Sequence, residues 1–139
     1  MPDLTVLTLR LALIYMIGGF TLGSILLVNE AFPISLLVWK LTKVHMELLL
    51  IGFMAELAVG VAFWILPRFT NEPPRGNEKI AWISLILLNV GIVCVVLAVV
   101  TDNDLIGVSG RILEASGGCL FLLHCWKRLY SVDTECKNQ

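Results

Sequence analysis

Three residues whose side chains can do chemistry, His45, Glu47 and Glu56, sit inside one apolar run, Val44–Leu66. A neutral imidazole offers a lone pair to a metal. A carboxyl can accept, hold or pass on a proton. An α-helix turns about 100° per residue, so Gly52 and Glu56 return to within about 20° of His45, and Gly60 to within about 60°. One face thus carries a histidine, two glycines and a glutamate. Glycine removes bulk where something flat or large comes close. Ionisable groups in a span are costly and face the bundle interior or a cavity. The stripe therefore fits a bulky planar cofactor, haem above all, with His45 as its ligand. The plainer reading is that His45 lies near the outer end of its run and reaches water, while the glycines serve helix packing.

Other polar residues extend this set. Glu56 lies near the middle of its run, where a bare carboxylate is costly, so it is expected to be protonated or paired. It is either a proton relay or a hydrogen-bonded packing residue. Arg111 and Glu114 lie one turn apart and are expected to pair. Arg111 and Lys43 fall at the same outer end as His45; they either hold the propionates of a haem or extend their charges to the interface. His124 stands beside Trp126, Lys127 and Arg128 and is expected to be interfacial. Its depth, about 12 Å inward of centre against about 15 Å outward for His45, prevents the two from sharing one haem. Asn89 is expected to hydrogen-bond between helices.

The elements that carry these residues follow from composition. The chain has 139 residues, 58% hydrophobic and 15% charged, where a soluble domain is about half apolar and a quarter charged. Four runs reach the roughly 20 residues that span a bilayer: 4–28, 44–66, 80–100 and 106–126. The fold class is an all-α membrane protein, a single four-helix transmembrane domain over 1–139, with the lipid bilayer as its solvent. Short links make neighbours antiparallel. "VNEAFP" and "TDNDL" are turns, "PRFTNEPPRGNEK" is a loop, and the tail "SVDTECKNQ" is expected to be mobile. "MPDLTVLTLR" lacks a basic segment ahead of its apolar run, so no cleavable signal is expected. The Lys and Arg distribution places both termini in the cytoplasm. Gly19 and Gly23 form a GxxxG pair for close helix approach. The four cysteines form no CxxC pair, which argues against a thiolate zinc site or covalent haem. A net charge of −1 excludes nucleic acid as a partner.

His45, Gly52, Gly60 and the terminal "FWILPRF" (Phe63–Phe69) resemble the second helix of haem-copper oxidase subunit I, closest to its short four-helix and nitric-oxide-reductase-like relatives. "LALIYMIGGFTLGSILLV", "LLNVG" and "LFLLHCWKRLY" resemble the other helices more loosely. The resemblance implies haem b held by His45, with Gly52 and Gly60 beside the macrocycle and Arg111 and Lys43 on its propionates. It also implies a homo-oligomer, a trimer by analogy with the pseudo-threefold oxidase subunit, or docking on homologous membrane subunits. Glu47 of a neighbour would then face the haem's other side. Glu47 stands where short relatives often have a second histidine, and the later helices that complete the oxidase are absent from this sequence. Oxygen reduction by this chain alone is not expected.

Three functions follow as expectations. The first is a haem-b protein for electron transfer and small-gas (NO or O2) binding, in a prokaryotic cytoplasmic membrane. The second is a cofactor-free structural or accessory subunit of a respiratory complex. The third is a proton- or ion-conducting bundle using Glu47, Glu56 and Glu114.

Overall fold

The computed structural model describes residues 2–66 and 78–137, with side chains through Trp126. Every regular element among these residues is helical. Four helices are long and apolar enough to cross a membrane: Asp3–Ala31, Leu36–Ile65, Glu78–Thr101 and Asp104–Trp126. They are called the first to fourth spans below. Large apolar side chains such as Ile14, Ile17, Phe20, Val93 and Ile112 point outward, as lipid-facing positions require.

Two boundaries differ from the sequence expectation. The second span starts at Leu36 rather than near residue 44, because Ser35 caps it: its hydroxyl accepts from the Leu37 N–H at 3.2 Å. The span opens with a 3-10 turn, Leu36–Lys40, so Lys40 and Lys43 belong to the bundle and not to a loop. The fourth helix runs on to Lys137. No glycine or proline interrupts 119–137, so nothing breaks the helix where a mobile tail was expected. The segment 67–77, with the Pro-Arg turn of "FWILPRF", Arg68 and Arg75, lies outside the described residues.

The stretch "VNEAFP", expected as a turn, is helical as far as Ala31, so the first span ends three residues later than expected and the chain turns after it; "TDNDL" turns as expected. Asn29 Oδ1 accepts from the N–H groups of Ile34 and Ser35, both at 3.0 Å, and ties the first span to the second. Between the third and fourth spans Asp102 takes a left-handed φ of 51°, which a short polar side chain tolerates. Asn103 Oδ1 then accepts from the Leu105 N–H.

The two ends of the bundle are packed differently. Leu4, Val59, Phe63, Ala81, Leu85, Leu88, Phe121 and Cys125 form one cluster at the end that carries the amino terminus. In lipid such contacts stabilise through dispersion and close fit rather than through water release. His124 belongs here. It was expected at the interface, but it is 7% exposed and its ring stacks on Phe63, centroids 6.0 Å apart. Toward the opposite half lie the buried carboxyls of Glu47 and Glu114.

Candidate functional site

Glu47, Glu56 and Glu114 are 2%, 0% and 8% exposed. All three face the seam between the second span and the antiparallel third–fourth pair. Between Glu47 and Glu56 the second span loosens into a π-helix, Leu48–Ala55. Nine residues of regular α-helix would set the two glutamates about half a turn apart. The wider i→i+5 turns lag in rotation and bring both carboxyls round toward the third and fourth spans.

The outer cluster joins three residues. Arg111 Nη1 lies 2.6 Å from Glu47 Oε2 and 2.9 Å from Glu114 Oε2. Glu47 and Glu114 thus share one guanidinium nitrogen. The expected Arg111–Glu114 pair is present, and Glu47 joins it from another helix. The arginine side chain itself is 55% exposed.

The inner cluster also joins three. Asn89 Nδ2 donates to Glu56 Oε1 and to the Leu85 carbonyl. Tyr15 donates its hydroxyl proton to Asn89 Oδ1 at 2.7 Å. The tyrosine hydroxyl and the leucine carbonyl together fix the amide, so Nδ2 must point at the carboxyl. Asn89 thus makes the interhelical bond expected of it. The two clusters are close along the third span: the Glu114 stem lies over Gly91, where a Cβ would come within 2.6 Å of its Cγ. Gly91 is about 3 Å along the helix axis from Asn89.

The histidine–glycine stripe has a different neighbour, the first span. A Cβ on Gly52 would come within 2.7 Å of Tyr15 Cγ. Gly52 is therefore bare so that the tyrosine ring can cross to Asn89. Gly60 packs on Thr8, and its carbonyl accepts from the Thr5 hydroxyl at 3.3 Å. His45 Nδ1 is 2.8 Å from the Gly19 carbonyl, and its ring lies against Gly23. The Gly19–Gly23 pair thus provides the close approach expected of it. Glu56 leaves the stripe because the π-helix turns it toward the third span.

Of the residues that the haem resemblance singles out, His45, Gly52 and Gly60 meet the first span, and Glu47 is held inside its own chain by Arg111. Lys43 and Arg111 line a cavity between the second, third and fourth spans. His45 lines a separate groove of about 360 Å3 with Phe20, Leu27 and Trp39. They do not converge on one cavity within a single chain. The stripe is filled by first-span side chains, and the expected propionate anchors open on another cavity. Among the described residues no group of three or more His, Cys, Asp or Glu side chains is gathered as a metal would need.

Tyr15 is the site residue that the sequence reading passed over. A phenol inside a span must find a polar partner, and the nearest expected polar residue across the bundle was Asn89. Gly52→Val should push this ring aside, an overpacking that costs about 1–3 kcal/mol. A lowered thermal midpoint in detergent, partly restored in Gly52→Val/Tyr15→Ala, checks the contact; an unchanged midpoint for Gly52→Val argues against it.

A comparison with protein families, curated proteins and solved structures returns no match to this chain.

Proposed function

We propose that this membrane protein moves protons along the carboxyls of Glu114, Glu47 and Glu56. One observation carries the reading: three carboxyls, each less than a tenth exposed, are gathered between the spans with a single arginine among them. Burying three carboxylates against one cation is prohibitive in a low-dielectric interior. Arg111 compensates one charge of the outer pair, and the pair is neutral with it when one proton is shared between Glu47 and Glu114. That proton enters from the side of Arg111, which lines the cavity mouth.

From the outer pair the proton passes by way of Glu114, above Gly91, to Glu56. There Asn89 occupies Oε1 as a donor, so the arriving proton belongs on Oε2, the oxygen without a partner among the described residues. Tyr15 keeps the amide from turning over. With both termini in the cytoplasm of a prokaryotic cell, the Arg111 end opens to the outside. The test is acidification of liposomes under an imposed pH gradient, wild type beside Glu56→Gln. Flux in the wild type that is lost in the variant supports the relay; equal flux in both ends it.

A second reading keeps haem b, at a smaller site than the resemblance implies. The Gly19 carbonyl can only accept, so Nδ1 of His45 carries the proton and the neutral ring presents the Nε2 lone pair. That is the tautomer and support seen in metal-ligating histidines. His45 would hold the iron alone from this chain, and a second copy or a homologous subunit would complete the other face. The group would supply reversible one-electron chemistry and gas binding. Oxidised and dithionite-reduced spectra of protein expressed with ample haem should then show a Soret band that His45→Ala loses. No band removes this reading, and no band together with no flux leaves the cofactor-free accessory subunit.

A further inference from the structure

A cavity of about 960 Å3 opens at the outer end of the bundle, between the second, third and fourth spans. Its size is at the upper end of small-molecule sites, about 300–1,000 Å3. Its walls are apolar: Val95, Ala98 and Val99 from the third span, Val108 and Ile112 from the fourth, Met46 from the second. Its charges are three cations and two anions, and most have local partners. Lys40 Nζ is bound by both oxygens of Asp102, at 2.6 and 2.8 Å. Asp104 sits in the first turn of the fourth helix, where the helix dipole favours a carboxylate.

Two cations remain for a ligand. Lys43 is exposed and makes no ion pair among the described residues. Arg111 approaches Glu47 and Glu114 most closely through Nη1, and among the described residues its hydrogen bond to Glu114 also runs from Nη1. A guanidinium has five N–H donors in a fork that matches a carboxylate or phosphate, so donors are left over on a side chain that is 55% exposed.

We infer that this cavity binds an amphipathic organic anion, its head between Lys43 and Arg111 and its hydrocarbon tail along the Val95–Ile112 wall. A small inorganic anion would leave the wall unused, and a neutral lipid would leave both cations unused. The anion comes either as a free fatty carboxylate or as an anionic phospholipid of the bilayer. The inference does not depend on proton movement, and binding is read without flux, so either can fail alone.

The test is equilibrium binding of radiolabelled dodecanoate to the full chain in phosphatidylcholine nanodiscs, corrected with empty discs. Saturable binding is expected, with dodecanol and dodecyltrimethylammonium competing poorly. Lys43→Gln removes a head contact and Val108→Trp fills the tail space. Neither residue belongs to the Arg111–Glu47–Glu114 cluster or to the Tyr15–Asn89–Glu56 cluster, and unchanged circular dichroism and thermal midpoints establish that both variants fold. Each should weaken binding about tenfold or more, the loss of one charge-assisted contact or of the tail seat. Discs doped with phosphatidylglycerol separate the sources: suppressed dodecanoate binding identifies the phospholipid, and undiminished binding the free carboxylate. Absent saturable binding, equal competition by dodecanol, or both variants binding as the wild type does would overturn the inference.

Discussion

Glu56→Gln should leave the fold intact and lower proton flux about 100-fold, the low end of what a positioned proton-transferring group contributes. The substitution is nearly isosteric. Its amide oxygen can still accept from Asn89, and its NH2 replaces the oxygen that has no partner among the described residues. No buried charge is created, since a glutamate that is 0% exposed, with an amide and no cation beside it among the described residues, is costly to bury ionised. The thermal midpoint should therefore stay within a few degrees of the wild type, about the shift that 1 kcal/mol produces in a chain of this size. What is lost is the capacity to bind and release a proton at this point. Glu56→Asp gives a finer reading: it keeps the acid but draws it back by one methylene, away from Asn89, and should fall between the two. A Glu56→Gln protein with wild-type flux would mean that protons bypass the inner cluster, and the relay would be wrong.

How far this site was legible in the sequence depends on the range of each contact. The spans were plain, since about 20 consecutive apolar residues have few other uses. The Arg111–Glu114 pair was legible because it lies within one helical turn. The buried carboxyl at Glu56 was legible as a problem in need of a partner, and Asn89 as an interhelical donor; that each answers the other needs the packing of two helices. The contact of Glu47 with Arg111 within the chain was not legible, because the two are 64 positions apart and nothing local links them. The π-helix was hidden altogether. "LLLIGFMA" is apolar at every position, so it carries no periodicity from which a change of pitch can be read. That change broke the single stripe of His45, Gly52, Glu56 and Gly60 into a glycine–histidine face on the first span and a carboxyl face on the third and fourth. Gly52 and Gly60, expected beside a macrocycle, are places of close approach between helices. The visitor is a tyrosine and a threonine of the same chain.

Arg111→Gln should be the most destabilising single change in the bundle. It removes the cation shared by Glu47 and Glu114, which stay 1% and 7% exposed at the side chain. Breaking a buried ion pair by deleting one partner costs about 3–5 kcal/mol, because the remaining charge is left uncompensated. The arginine's own exposure lowers this, since water and lipid headgroups can reach the cluster from its side, so about 2–3 kcal/mol is expected. The sign of the pH dependence follows from the charges. Without Arg111 both carboxyls must be neutral to stay buried, so the variant should gain stability relative to the wild type as pH falls and lose it as pH rises. Thermal midpoints of both proteins across pH 5 to 8 measure this. A triple variant, Arg111→Gln with Glu47→Gln and Glu114→Gln, removes the charge imbalance while keeping polar groups of similar shape, and should recover most of the loss. Recovery there, with proton flux still absent, would separate the two roles of the cluster: the arginine would be needed for the fold only because the carboxyls are present, and the carboxyls would be needed for flux and not for the fold.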